Sequence, residues 1–194
     1  IFCIWVVGGE NVIEIKQVSF TYDNATNGTA IRDINVQIPK GQIVLLCGES
    51  GSGKTTFSRL INGLIPAYYD GDLNGRVMVS QKDTSKVELH ELAPVIGSVF
   101  QNPKSQFYTL LTDTEIVFAC ENIGMEKTDI IGRFNSTVDS LHIEKLIGKS
   151  LFALSGGEKQ KIACASVNAL LPDIFVLDEP FTGVDGDRIR ALMA

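Results

Sequence analysis

The sequence predicts an α/β fold with a parallel core sheet, an antiparallel β lobe and a helical subdomain. Three observations carry that prediction. A glycine-rich loop, Gly48-Glu49-Ser50-Gly51-Ser52-Gly53-Lys54-Thr55, lies between an apolar run and a stretch of helical spacing. A second apolar run, Ile174-Phe175-Val176-Leu177, ends in the acids Asp178-Glu179. Between the two, residues 112–124, 127–141 and 155–170 have the starts and spacing of helices.

The totals set the frame. At 194 residues and 44% hydrophobic content the chain suits one domain, or one domain with a small lobe, and has enough apolar residues for a sizeable core. A net charge of −6 with no dense Lys/Arg run argues against a nucleic-acid-binding face. Cys3, Cys47, Cys120 and Cys164 are widely spaced, which suits reduced, small apolar residues rather than a disulfide or metal framework. No run approaches the ~18 apolar residues that cross a bilayer.

Taken in order, Ile1-Phe2-Cys3-Ile4-Trp5-Val6-Val7 is apolar, but it is short and lacks the basic start of a signal peptide. Gly8-Gly9-Glu10-Asn11 breaks it. Gly8-Gly9-Glu10 can be encoded by a purine-rich ribosome-binding stretch, and Val12 by the start codon GTG. Residues 1–11 are therefore expected to be a non-native or disordered extension, with Phe2, Ile4 and Trp5 making few core contacts and the ordered sheet beginning near Val12. From Val12 the apolar Ile13, Ile15 and Val18 alternate with Glu14, Lys16 and Gln17, a half-buried strand ending at Tyr22. Residues 31–38 form the next strand, and Pro39-Lys40-Gly41 turns into the run Gln42-Ile43-Val44-Leu45-Leu46-Cys47, read as a buried strand. A helix follows the glycine loop and stops before Pro66. Residues 68–75 read as loop, Arg76-Val77-Met78-Val79 as a short strand, residues 88–93 as a helical turn and residues 95–100 as a second buried strand. Thr112 or Asp113 is expected to cap the next helix. Gly132 weakens the one after it by ~1 kcal/mol relative to alanine. His90 and His142 have no metal-ligand spacing around them and read as surface residues.

The chemistry concentrates in four places. Gly48, Gly51 and Gly53 let the backbone curl with its N–H groups facing inward at an anion, and the helix that follows adds its positive end. Lys54 can reach the β- and γ-phosphates of a nucleotide, and Thr55 can ligate Mg²⁺. Leu154-Ser155-Gly156-Gly157-Glu158-Lys159-Gln160 is a capping-box pattern. It reads as a well-capped helix, or, with two glycines at its start, as a second anion-binding site. Asp178 and Glu179 end a strand where a parallel sheet opens. There Asp178 can hold Mg²⁺ and Glu179 can orient and deprotonate an attacking water. Tyr22 is either an ordinary strand aromatic or a platform for a base. Gln101, at a strand's C-terminal end, is either a loop glutamine or a ligand of Mg²⁺ or water.

Together these residues resemble the ATP-binding subunit of ABC transporters, over essentially residues 12–194. The resemblance implies a P-loop NTPase fold with ATP and Mg²⁺ as ligands. Residues 48–55, with Thr56 beside them, match the Walker A loop. Leu154, Ser155, Gly156, Gly157, Glu158 and nearby Gln160 match the signature motif, in a helical subdomain at about residues 105–165. Asp178-Glu179 match Walker B, Gln101 the Q-loop, Asp185 the D-loop and Tyr22 the A-loop aromatic. It implies catalysis by Glu179 with Lys54 and Gln101, and metal binding by Thr55, Gln101 and Asp178. Val99-Phe100-Gln101-Asn102-Pro103 with Gln106, Ile61-Asn62-Gly63-Leu64-Ile65-Pro66 and Ile162-Ala163-Cys164-Ala165-Ser166 narrow the likeness to the energy-coupling-factor type, which drives uptake of vitamins and of cobalt or nickel ions. The resemblance further implies a second ATP-binding domain, closing head to tail in a homodimer, heterodimer or tandem chain. It implies an integral membrane transport subunit and a peripheral place on the cytoplasmic face of the membrane. The family's switch histidine lies beyond the D-loop, where this sequence has none, so a C-terminally truncated and inactive fragment is expected.

Two other readings compete. A soluble ABC ATPase of DNA repair or chromosome structure carries a long coiled coil between Q-loop and signature. Here that interval is about 50 residues without sustained heptads. A non-hydrolysing half of an asymmetric pair usually loses the Walker B glutamate or scrambles the signature, and here both are intact.

Overall fold

The computed structural model describes residues 2–7, 13–23, 28 and 30–178. They fall into two units: residues up to Ser98 together with Pro172–Asp178, and residues Val99–Leu171.

The first unit holds two four-stranded sheets. One is antiparallel where its pairing is resolved. Strand β2 (Ile13–Tyr22) pairs with β3 (Ile31–Ile38) on one side and with β5 (Gly71–Val79) on the other, and β5 pairs with β6 (Lys82–Asp83). Ile13, Ile15, Val18 and Phe20 of β2 are buried. The spacing of three between Ile15 and Val18 breaks strict alternation, and the register shifts there on both sides, with Gln17 at φ 51°. The extra residue is a bulge that returns Val18 to the core face.

In the other sheet the order is β4 (Ile43–Leu46), β1 (Phe2–Val6), β8 (Ile174–Asp178) and β7 (Ile96–Val99). Strand β1 runs antiparallel to both β4 and β8, where a parallel core was expected. Expecting few core contacts for the first residues is also wrong for β1. Ile4 and Val6 are fully buried, Cys3 nearly so, and Trp5 stacks on Phe175 at 5.7 Å. An apolar run without alternation is what a strand covered on both faces needs. Conversely β4, expected to be buried, lies at the end of the sheet with Ile43 and Leu45 exposed. Helix α1 (Lys54–Ile61) puts Phe57, Leu60 and Ile61 into the same core as Ile4, Ile13, Phe20 and Val176. A short turn, α2 (Leu64–Ala67), follows, and α3 (Leu89–Leu92) carries a capping box between Glu88 and Glu91.

Residues 71–75, expected as loop, extend β5. Pairing with Ser19–Tyr22 of β2 overrides the turn-forming composition of Asp72, Asn74 and Gly75.

The second unit is helical: α4 (Thr112–Asn122), α5 (Lys127–Leu141) and α6 (Gly156–Asn168), with one 3₁₀ turn before α4 and two between α5 and α6. Ile116, Cys120, Val138, Ile143, Leu151, Leu154 and Ile162 form its core. The cap of α4 differs from expectation, since Leu111 is the N-cap residue. The Thr112 hydroxyl donates to the Leu146 carbonyl at 2.8 Å, and Asp113 accepts from the Gly148 N–H at 3.2 Å. Both side chains tie the helix to a neighbouring segment instead of capping it. No helix among the described residues is long and apolar enough to cross a membrane.

Candidate functional site

In the first unit the site is built where β4 runs into α1. Gly51 and Gly53 take φ of +83° and +89°, which side chains avoid, and Gly53 is the N-cap of α1. Its missing Cβ also matters, because one would lie 2.8 Å from Ile31 Cγ2 and 2.9 Å from the Ala30 carbonyl oxygen. At Gly48 a Cβ would meet Ser52 Oγ at 2.7 Å. Gly48, Glu49, Ser50 and Ser52 are exposed, and the Ser52 N–H donates to the Glu49 carbonyl at 3.2 Å.

Lys54 is the first residue of α1. Its ammonium turns back into the loop and donates to the carbonyls of Gly48 at 2.8 Å and Glu49 at 2.7 Å, and to Ser52 Oγ at 3.4 Å. The first turn of α1 contains no acidic residue, so its positive end is open to an anion. This donor set fits a polyphosphate chain. Thr55 is exposed beside the loop, while Thr56 is buried and its hydroxyl lies 3.1 Å from the Tyr22 hydroxyl.

Asp178 enters the same unit through the sheet. The register sets both Leu46 and Asp178 opposite Phe2, so the strand that feeds the loop and the strand that ends in Asp178 are level, two strand spacings or ~10 Å apart. Among the described residues no group of three or more His, Cys, Asp or Glu side chains could cage a metal. A hydroxyl and a carboxylate, Thr55 and Asp178, suit Mg²⁺, which takes one or two protein oxygens and fills its octahedron with phosphate and water.

Tyr22 ends β2 and pairs with Gly71. Its ring makes edge contacts with Phe20 at 4.7 Å and Tyr69 at 6.2 Å. Arg59 donates to its hydroxyl at 3.0 Å. The sequence gives no sign of this role for Arg59, because its partner Tyr22 lies 37 residues away on another element.

The second unit carries the other expected residues. Gln101 is exposed in the segment after β7, and Gln106 accepts the neighbouring Phe100 N–H at 3.2 Å, closing that segment on itself. Glu115, in the first turn of α4, is a buried clamp. It accepts from the N–H groups of Tyr108 and Thr109 and from the Thr109 hydroxyl. At the start of α6 the capping box forms. The Ser155 N–H and hydroxyl donate to the Glu158 carboxylate at 2.8 and 2.7 Å, and the Glu158 N–H donates to Ser155 Oγ at 3.4 Å. Lys159 donates to the Leu154 carbonyl. Gly156, inside this start, has no left-handed φ, and nothing lies within 4 Å of where its Cβ would be. Gln160 is 6% exposed, and its buried amide nitrogen has no partner. Glu179 and Asp185 lie outside the described residues.

The structure thus brings Tyr22, Lys54, Thr55, Thr56 and Asp178 into one unit and holds Gln101 and residues 154–160 in the other. All four cysteines are free, and burial pushes the Cys164 thiol up to about 12, so it stays protonated and inert.

The fold and sequence have known counterparts. The chain is 46% identical over 181 residues to a Treponema denticola protein described as an ABC transporter ATP-binding protein, covering 93% of this chain and 37% of that one. A Pyrococcus abyssi protein of the same description is 38% identical over 175 residues, covering 90% of this chain and 62% of the relative. The chain therefore spans little more than a third of the Treponema protein. Among solved structures it superposes on cbiO1 from Clostridium perfringens, part of the ABC transporter complex cbiONQ, with a TM-score of 0.77 and 26% identity over 93% of this chain and 70% of that chain. An ATP binding subunit of an ABC transporter matches in fold, with a TM-score of 0.74 at 20% identity, over 94% of this chain and 72% of that chain. The family described as ABC transporter matches residues 31–182, and with a phosphate loop, a P-loop NTPase fold and these relatives the chain belongs to that family, as an ATP-binding domain.

Proposed function

We propose that this domain hydrolyses ATP in a head-to-tail pair with a second ATP-binding domain and so powers uptake through a separate membrane subunit. The observation that carries the reading is the division between the two units. One presents a cation-bearing phosphate loop level with Asp178. The other presents a helix start with a glycine that its own packing does not require. A glycine with open space and ordinary φ leaves room for something outside the chain to come close. In this reading that is the ATP held by the other domain.

In each composite site Lys54 and the loop N–H groups hold the β- and γ-phosphates, with Tyr22 against the base. Thr55, Asp178 and Gln101 are the residues that would hold Mg²⁺, and the ion would offset the phosphate charge. Glu179 orients water and takes its proton. Ser155, Gly156 and Gly157 complete the partner's site, with Asp185 near the pair's contact. Neither domain alone hydrolyses, which ties chemistry to closure and closure to movement of the membrane partner.

The energy-coupling-factor type is supported by Gln106, whose side chain fixes the backbone beside Gln101, and by the likeness to cbiO1, named as part of the complex cbiONQ. The domain then works at the cytoplasmic face of the membrane as a peripheral subunit. The test is Glu179→Gln in the full-length protein. It should keep ATP and Mg²⁺ binding, stall chemistry and accumulate an ATP-dependent dimer on gel filtration. A variant that stays monomeric and turns over like the parent rules out Glu179 as the base.

A further inference from the structure

The side chains at the end of β2 and along α1 form a network that phosphate binding does not explain. Arg59 donates to the Tyr22 hydroxyl at 3.0 Å, and its guanidinium carbon lies 3.9 Å from the centre of the Tyr69 ring. Because Arg59 has only donors, the Tyr22 oxygen accepts from it. The Tyr22 hydrogen is then free for Thr56 Oγ1, 3.1 Å away. The ring is held edge-on between Phe20 and Tyr69. One guanidinium thus fixes one tyrosine by hydrogen bond and grips the other through its face. All of these residues belong to the first unit.

We propose that Arg59 is a positioning residue for the nucleoside: it sets the Tyr22 ring, with Tyr69 as its second anchor, so that the base meets a platform already in place. The inference rests on the reading of Tyr22 as that platform. Ordering the ring in the free protein removes a cost that binding would otherwise carry. The effect falls on the base end of the nucleotide, because the Arg59 side chain spends its hydrogen bond on Tyr22.

The test separates the base from the phosphates. Dissociation constants for ATP and for inorganic tripolyphosphate are measured on the intact chain, and their ratio is followed. Arg59→Met and Tyr22→Phe should each cut the preference for ATP over tripolyphosphate about fivefold, the worth of one anchoring hydrogen bond. The double variant should lose no more than either single one, since both remove the same link. Arg59→Lys, which keeps the charge and loses the planar fork, should restore only part of the preference.

Equal weakening of ATP and tripolyphosphate by Arg59→Met would overturn the proposal, by showing a general charge or folding effect. So would an unchanged ratio in Arg59→Met when Tyr22→Ala has lost it, with the platform reading left standing. An unchanged ratio in Tyr22→Ala would reject the platform reading itself. If Arg59→Met fails to fold by circular dichroism, Tyr22→Phe decides alone, because it deletes the anchor and leaves the ring.

Discussion

The phosphate loop and the start of α6 are both glycine-rich helix beginnings, yet their glycines answer to different demands. At Gly53 the chain itself requires glycine: φ is +89°, and a Cβ would press on Ile31 and Ala30. At Gly156 the chain requires nothing of the kind, since the space around it is open. The first helix start has no acid in its opening turn and a lysine curled into its loop. The second is closed by its own capping box. One is a shape the domain must hold to exist. The other is a stable helix end whose glycine makes sense through what approaches from outside.

The largest effect should come from Lys54→Ala. Removing the ammonium that donates into the loop should cost at least ~10³ in turnover of the full-length protein, or ~4 kcal/mol of transition-state stabilisation. Steady-state phosphate release checks this, and near-normal turnover would break the loop's side of the comparison.

Gly53→Ala should act on folding as well as on binding. A left-handed alanine plus the close contacts should destabilise the domain by ~2–3 kcal/mol, read as a lowered denaturant midpoint. A midpoint unchanged from the parent would mean that the loop's conformation is not fixed by Gly53.

A smaller effect sharpens the contrast from the side of pH. Asp83 lies in the antiparallel sheet of the first unit. Burial pushes its carboxyl upward, but hydrogen bonds from Ser85 and Arg76 and the charge of Lys86 outweigh this and hold it below the ordinary 3.8. A carboxylate depressed in the folded state adds stability above 3.8, and that stability is lost as pH falls through the folded value. Acid should therefore loosen β5 and β6 first, and Asp83→Asn should remove the pH dependence at a cost of ~1 kcal/mol. Hydrogen exchange of those strands against pH measures it.

How much of this was legible beforehand follows from how local the signal is. The phosphate loop, the strand at 13–22, the helix at 127–141 and the capping box of Ser155 and Glu158 depend on a few neighbouring residues, and their patterns are readable in order. What escaped depends on partners far along the chain. Strand β1 is recognisable only once β4 and β8 flank it. Residues 71–75 become strand because β2 is beside them. Glu115 looks like a dipole-matching acid until the loop at Tyr108 and Thr109 is seen folded over it. Arg59 gains a role from Tyr22 and Tyr69, far from it in sequence. In the site, the phosphate side was visible as a motif. The ring-holding network was not, because hydrogen bonds between side chains on different elements leave no spacing to read.

In the proposed function the start of α6 serves a nucleotide held by another domain. The most direct measurement compares ATP affinity of Lys54→Ala and Gly156→Ala on the isolated chain, at concentrations where it is monomeric, by equilibrium fluorescence of a labelled nucleotide. Lys54→Ala should lose at least about tenfold in affinity, and Gly156→Ala should stay within about twofold of the parent. A loss in Gly156→Ala as large as that in Lys54→Ala would contradict it, because the glycine would then belong to the chain's own site.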